Sequence, residues 1–179
     1  VAWVGTGASD WDEWIELYNN TASPIDLTGW KIRKDDQDFI TISSSATSTI
    51  PAMSFYLLER SEKATDIPAD LVYGGEKRIS NSKGKLELID VDGKPIDTVD
   101  FFSSSKWPAG IASPDYISME RIDPKLSGSD PTNWANNNLI IKNGKEHFTY
   151  EENYMADLQF PGLKRQQKEH SYFIKFATD

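Results

Sequence analysis

The sequence predicts an all-β domain, a sandwich of about eight to nine short strands followed by a partly irregular C-terminal extension. Three observations predict it. Short apolar-alternating runs recur along the chain, separated by Gly, Pro, Asn, Asp and Ser clusters at roughly the 8–12-residue spacing of all-β folds. No long helical pattern interrupts them before Trp134. Asp92-Gly93 joins two alternating runs, the strongest short-range hairpin signal a sequence carries.

Each element follows in order. Glu13–Tyr18 alternates, with Ile15 and Leu17 on one face and Trp14 and Tyr18 on the other. Asn19–Pro24 is a turn cluster. The run Ile25–Lys34 puts Trp30 and Ile32 on one face, opposite Lys31 and Arg33. Phe39, Ile40 and Ile42 mark a further short strand, and Ser54–Glu59 is apolar on both faces, as a buried strand requires. Lys85–Ile89 and Pro95–Asp100 flank the Asp92-Gly93 turn, and Ile117–Ile122 is the last clear strand. The serine-rich pieces 43–48 and 103–105 read as loops.

Past Trp134 the chain turns polar and amide-rich. We therefore divide it into a sandwich, residues 1–141, and an extension, 142–179, that docks on the sandwich or leads to a further domain. Within the extension, Tyr150–Leu158 suits a short helix or an irregular segment, and Ser171–Ala177 suits a strand.

Charge narrows the partners. The 179-residue chain has a net charge of −9, and the extension carries six residues of each sign, so the whole excess falls in residues 1–141. Such a surface argues against nucleic acid and anionic membranes, which attract basic proteins. No apolar run reaches the roughly 20 residues of a membrane span. The chain has no cysteine, which removes disulfides, thiolate metal sites and a cysteine nucleophile. It begins Val-Ala-Trp, like a mature product or an excised piece.

No catalytic constellation emerges, so the sequence predicts a non-enzyme. His147 and His170 have no metal-ligand spacing, and no Gly-x-Ser-x-Gly elbow is present. Gly5-Thr6-Gly7 lacks the third glycine and following helix of a phosphate loop and reads as a flexible loop. Asp90-Val91-Asp92-Gly93 has its glycine misplaced for an EF-hand. No cofactor is expected. Calcium is the ion that the loop acids would suit: Asp10, Asp12 and Glu13; Asp35, Asp36 and Asp38; Asp97 and Asp100. The sequon Asn19-Asn20-Thr21 matters only in a eukaryotic secretory host.

Six tryptophans are many for this length. Trp30 belongs to the core, and Trp107 and Trp134 suit loops locked over the sandwich ends. Trp11, Trp14 and Tyr18 are the candidate ligand-binding residues: on an open face they form an aromatic strip that stacks sugars or anchors a protein. The competing reading has the extension cover that face with Tyr150, Tyr154, Met155, Leu158, Phe160 and Leu163.

An ordered set of motifs resembles a known family. Asp12–Asn19, Ile25–Ile32, Ile50-Pro51-Ala52, Tyr56–Arg60, Leu86–Asp90 with Gly93 and Ile96-Asp97, Trp107–Gly110, Ser118–Arg121 and Asn133-Trp134-Ala135 are similar to the lamin tail domain in its bacterial form. The extension departs from the family pattern, with Phe160-Pro161-Gly162 in place of its closing turn. The resemblance implies an immunoglobulin-like sandwich and a non-catalytic interaction or targeting module. It implies a bacterial secreted or cell-envelope protein, with a protein or an envelope polysaccharide as partner. A carbohydrate-binding module, or an accessory domain of a hydrolase or nuclease, is the alternative.

Overall fold

The computed structural model describes residues 1, 3–44, 48–65 and 67–137, and the backbone of 174–175. Its strands are β1 (Trp14–Tyr18), β2 (Ile25–Asp26), β3 (Lys31–Lys34), β4 (Gln37–Thr41), β5 (Thr49–Ile50), β6 (Phe55–Glu59), β7 (Leu71–Val72), β8 (Lys85–Ile89), β9 (Pro95–Asp100), β10 (Met119–Arg121), β11 (Trp134–Asn136) and β12 (Ile174–Lys175). A first four-stranded sheet has the order β12-β1-β6-β7 and a second the order β4-β3-β8-β9. Two small ladders, β2-β5 and β10-β11, complete the pairing. The architecture is the all-β sandwich that the strand patterns predict.

Alternation explains the core. Ile15 and Leu17 of β1 and Tyr56 and Leu58 of β6 point inward from the first sheet. They meet Ile32, Ile40, Leu86, Leu88 and Val99 from the second. All are buried, and each truncation of such a side chain typically costs about 2–5 kcal/mol. The strand β6 is buried along its whole length, as its two apolar faces require.

Tryptophans close the ends, each with its indole N–H satisfied. Trp107 donates to the Ser80 carbonyl at 2.7 Å and Trp134 to that of Gly128 at 2.8 Å. Trp3, also buried, donates to the Ala109 carbonyl at 3.2 Å. Trp30 is half-buried against the core. Beside Trp134 lies a buried Arg121, its Nη2 2.8 Å from Asp97 and its guanidinium 5.3 Å from the Trp134 ring centre. Gly128 is needed there, because a Cβ would stand 1.9 Å from Arg121 Nη2.

Three local differences from the sequence reading have physical causes. Ile25–Lys34 is two strands, because the Asp26 carboxylate accepts from the Thr28 N–H and hydroxyl and turns the chain at Leu27–Trp30. Gly5–Gly7 is not a free loop: Thr6 donates to Asp12 at 2.6 Å and accepts from the Ala8 and Ser9 N–H groups. The strands β5, β7 and β11 were not expected, since two or three residues carry no readable period. The Asp35-Asp36 turn between β3 and β4 has both residues at positive φ, as a two-residue type I′ hairpin requires. Ile174–Lys175, within the expected strand 171–177, runs parallel to Leu17–Tyr18 of β1. The rest of the extension, with the side chains expected to cover β1 and with His147 and His170, lies outside the described residues.

Candidate functional site

The outer face of β1 carries Trp14, Glu16 and Tyr18, in register with Glu59, Leu57 and Phe55 of β6. This face is covered at the Trp14 end. The strands β6 and β7 are parallel neighbours, so the chain between them has to cross the sheet. That crossover lays Ala64, Ile67 and Ala69 on Trp14 and Leu57. Trp14 is left 3% exposed. Tyr18, about 13 Å further along the strand, is half-buried, stacked on Phe55 at 4.8 Å, with its hydroxyl turned to Met53. Trp11 lies before the strand and is 43% exposed. Among the described residues, then, the three rings do not form one open strip. The crossover separates them, and Trp11 is the ring it leaves presented.

Trp11 rests on a built support. Its ring centre lies 4.0 Å from the Arg60 guanidinium. Arg60 is itself buried, at the end of β6, and its Nη1 is 3.6 Å from the buried Glu13 carboxylate. Arg60 also donates to the carbonyls of Gly75, at 3.4 Å, and Asp10, at 3.5 Å. Glu13 accepts from the Ile79 N–H at 3.0 Å. Asp12 accepts from Thr6 and, at 3.2 Å, from Ser61, while Asp10 pairs with Arg78 at 2.6 Å on the surface. One guanidinium thus ties the loops 5–13, 60–65 and 73–79 together at one end of the sandwich.

Burial dominates the electrostatics of this end. It pushes the Glu13 carboxyl up to about 7, against the downward pull of the Ile79 N–H and Arg60. Burial also pushes the Tyr73 phenol far above its ordinary range, with Glu13 and Glu59 adding to the effect. Glu59 accepts from the Thr65 hydroxyl within the crossover.

The remaining loop acids also face this chain's own donors. Asp36 pairs with Lys85 at 2.8 Å, Asp35 accepts from the Lys85 N–H, and Asp38 pairs with Lys31 and Arg33, which hold its carboxyl below the ordinary value. Asp97 faces Arg121, and Asp100 accepts from the Phe102 N–H. Among the described residues, no three acids or histidines converge as a metal site would require. Asn19 of the sequon is fully buried, its amide donating to the Ser23, Ile50 and Pro51 carbonyls, so it closes a turn.

Sequence reasoning missed Arg60, Tyr73 and Gly75. One signal was available: a strand apolar on both faces, β6, must have a covered outer face, and so must its neighbour β1.

Residues 3–103 match the sequence model of the lamin tail domain. The chain belongs to that family. The match runs from Trp3 past the end of β9 and includes all four strands of the second sheet and β1, β6 and β7 of the first. The lamin tail domain is immunoglobulin-like and generally serves as a protein-interaction module, not as an enzyme. The Trp107–Gly110, Ser118–Arg121 and Asn133–Ala135 motifs lie beyond the matched span. No curated protein and no solved structure matches the chain.

Proposed function

We propose that this lamin tail domain is a non-catalytic module of a bacterial secreted or cell-envelope protein, contacting a protein or envelope component through the Trp11 end of the sandwich. One observation carries the reading. Trp11 is 43% exposed, yet its ring is seated 4.0 Å from a fully buried guanidinium. A ring held this way has little rotamer freedom left to lose on contact, so more of its contact energy reaches affinity. Tryptophan and arginine are also the residues most enriched where binding energy concentrates. The exposed Asp10–Arg78 pair adds a polar rim.

Photo-crosslinking from benzoylphenylalanine at position 11, in an envelope extract of the source cells, tests the reading. The expected result is a discrete adduct that excess unlabelled domain competes away. An adduct pattern identical to that from position 91 would contradict it, because Val91 is 64% exposed on the β8–β9 turn, away from this end. A carbohydrate-binding role is the second reading, favoured by a presented indole with a carboxylate and a guanidinium beside it. It expects saturable pelleting with an insoluble polysaccharide such as peptidoglycan, lost in Trp11→Ala.

A further inference from the structure

The two sheets treat their edges differently. At β9, the Ser129 hydroxyl accepts from the Asp100 N–H at 3.1 Å and donates to the Thr98 carbonyl at 3.3 Å, which occupies two backbone groups of that edge. At β4, the register shifts against β3 and the strand carries charge at Asp38. In the first sheet, β1 is paired by β12. That sheet ends at β12, of which the backbone alone is described, and at β7, which has one strand neighbour, β6, and no strand on its other side among the described residues. Among the described residues, β7 has no register shift against β6 and no charged strand residue, and its shortness is the one protective device it shows.

β7 is also a fixed template. The Asp70 N–H donates to the Leu57 carbonyl at 2.9 Å, and the Asp70 carboxylate accepts from the Leu57 N–H at 2.8 Å. The Tyr73 N–H donates to the Glu59 carbonyl at 2.8 Å. Alongside it lies a groove of about 420 Å³, lined by Glu62, Thr65, Ile67, Pro68, Ala69 and Val72. Its small apolar lining has room for an aliphatic side chain. Val72, 44% exposed, belongs both to the edge and to the groove. The charge here is negative: Glu62 lines the groove, and the whole net charge of −9 falls in residues 1–141.

We propose that β7 and this groove dock an extended, cationic segment of a partner polypeptide, added as the next strand of the first sheet. The backbone groups of β7 supply the pairing, as in strand addition elsewhere. Alternate side chains of the added strand point to the same face, so an apolar one enters the groove while a basic one meets Glu62. This extends the interaction reading to a second surface and to a class of partner. It does not depend on Trp11.

The test is a random-peptide display library panned on the full 179-residue chain, with anisotropy measurements on the enriched peptides. The expected peptides alternate basic and aliphatic residues. Their binding should weaken at least tenfold in Glu62→Lys and in Val72→Pro, and should be lost when alternate peptide nitrogens are methylated, which keeps the charge and removes strand pairing. It should be unchanged in Trp11→Ala, which separates failure here from failure of the Trp11 reading. Val72→Lys, at an exposed position, replaces Val72→Pro if the latter does not fold. Enrichment of acidic peptides, binding that survives both edge variants or backbone methylation, or no enrichment over the bare surface would overturn the proposal.

Discussion

The outer faces of the two sheets begin from the same alternation and end in opposite environments. On the second sheet, Lys31 and Arg33 pair with Asp38, and Lys85 pairs with Asp36 and Glu87, at 2.5–3.1 Å, with side chains 12–73% exposed. On the first, Trp14, Leu57 and Glu59 lie under a crossover, and the ion pair at its end, Glu13–Arg60, has both side chains at or below 1% exposure. Charge therefore says little about burial in this molecule. The connection decides: β3, β4, β8 and β9 are joined by antiparallel pairing and leave the Lys31, Arg33 and Asp38 side chains 38–47% exposed, while the parallel β6–β7 pair sends its link across the sheet. Ion pairs open to water contribute little and are screened by salt, whereas a buried pair is costly to break because one charge stays behind.

That contrast sets the order of the expected effects. Arg60→Met should be the most damaging, at about 3–5 kcal/mol in urea denaturation at about pH 9, where Glu13 is ionised and loses its buried partner. Trp14→Ala should cost about as much, about 3–5 kcal/mol, by opening a cavity under Ala64 and Ile67. An open aromatic strip would instead tolerate this change with little loss.

The next effect is in pH. The Glu13 carboxyl titrates near 7 in the folded protein against an ordinary 4.5, so the folded state holds the proton more tightly. Its contribution is therefore greatest below pH 4.5 and is lost as pH rises to about 7. At 1.36 kcal/mol per unit, the loss is about 3 kcal/mol. Glu13→Gln, which keeps an acceptor for the Ile79 N–H, should flatten that part of the stability–pH curve; an unchanged slope would place the titration elsewhere. The smallest effect belongs to the second sheet. Arg33→Met should leave the denaturation midpoint within error, and any difference should vanish in 1 M salt.

Much of this was legible in the sequence, for identifiable reasons. Strict alternation marks β1, β8 and β9, and the doubly apolar run marks β6 as interior. Asp92-Gly93 marks the hairpin, whose Asp90–Lys94 backbone bond closes at 3.0 Å. The site was less legible. Glu13 and Arg60 meet only because β1 and β6 pair antiparallel, with Trp14 opposite Glu59. No local pattern announces a pairing 47 residues apart. Alternation placed Trp14 and Tyr18 on one face correctly, but it carries no information about a crossover that arrives from residues 60–70. A two-residue strand such as β7 has no period to read, so the edge argued above as a docking site was invisible.

The most direct test of the central claim is acrylamide quenching of tryptophan fluorescence in the wild type, Trp11→Phe and Trp14→Phe. The crossover buries Trp14 and leaves Trp11 presented on Arg60. Trp11→Phe should therefore remove the larger part of the accessible emission, and Trp14→Phe should leave that part unchanged. Loss of an equal or greater accessible fraction in Trp14→Phe would contradict it, since the outer face of the first sheet would then be open.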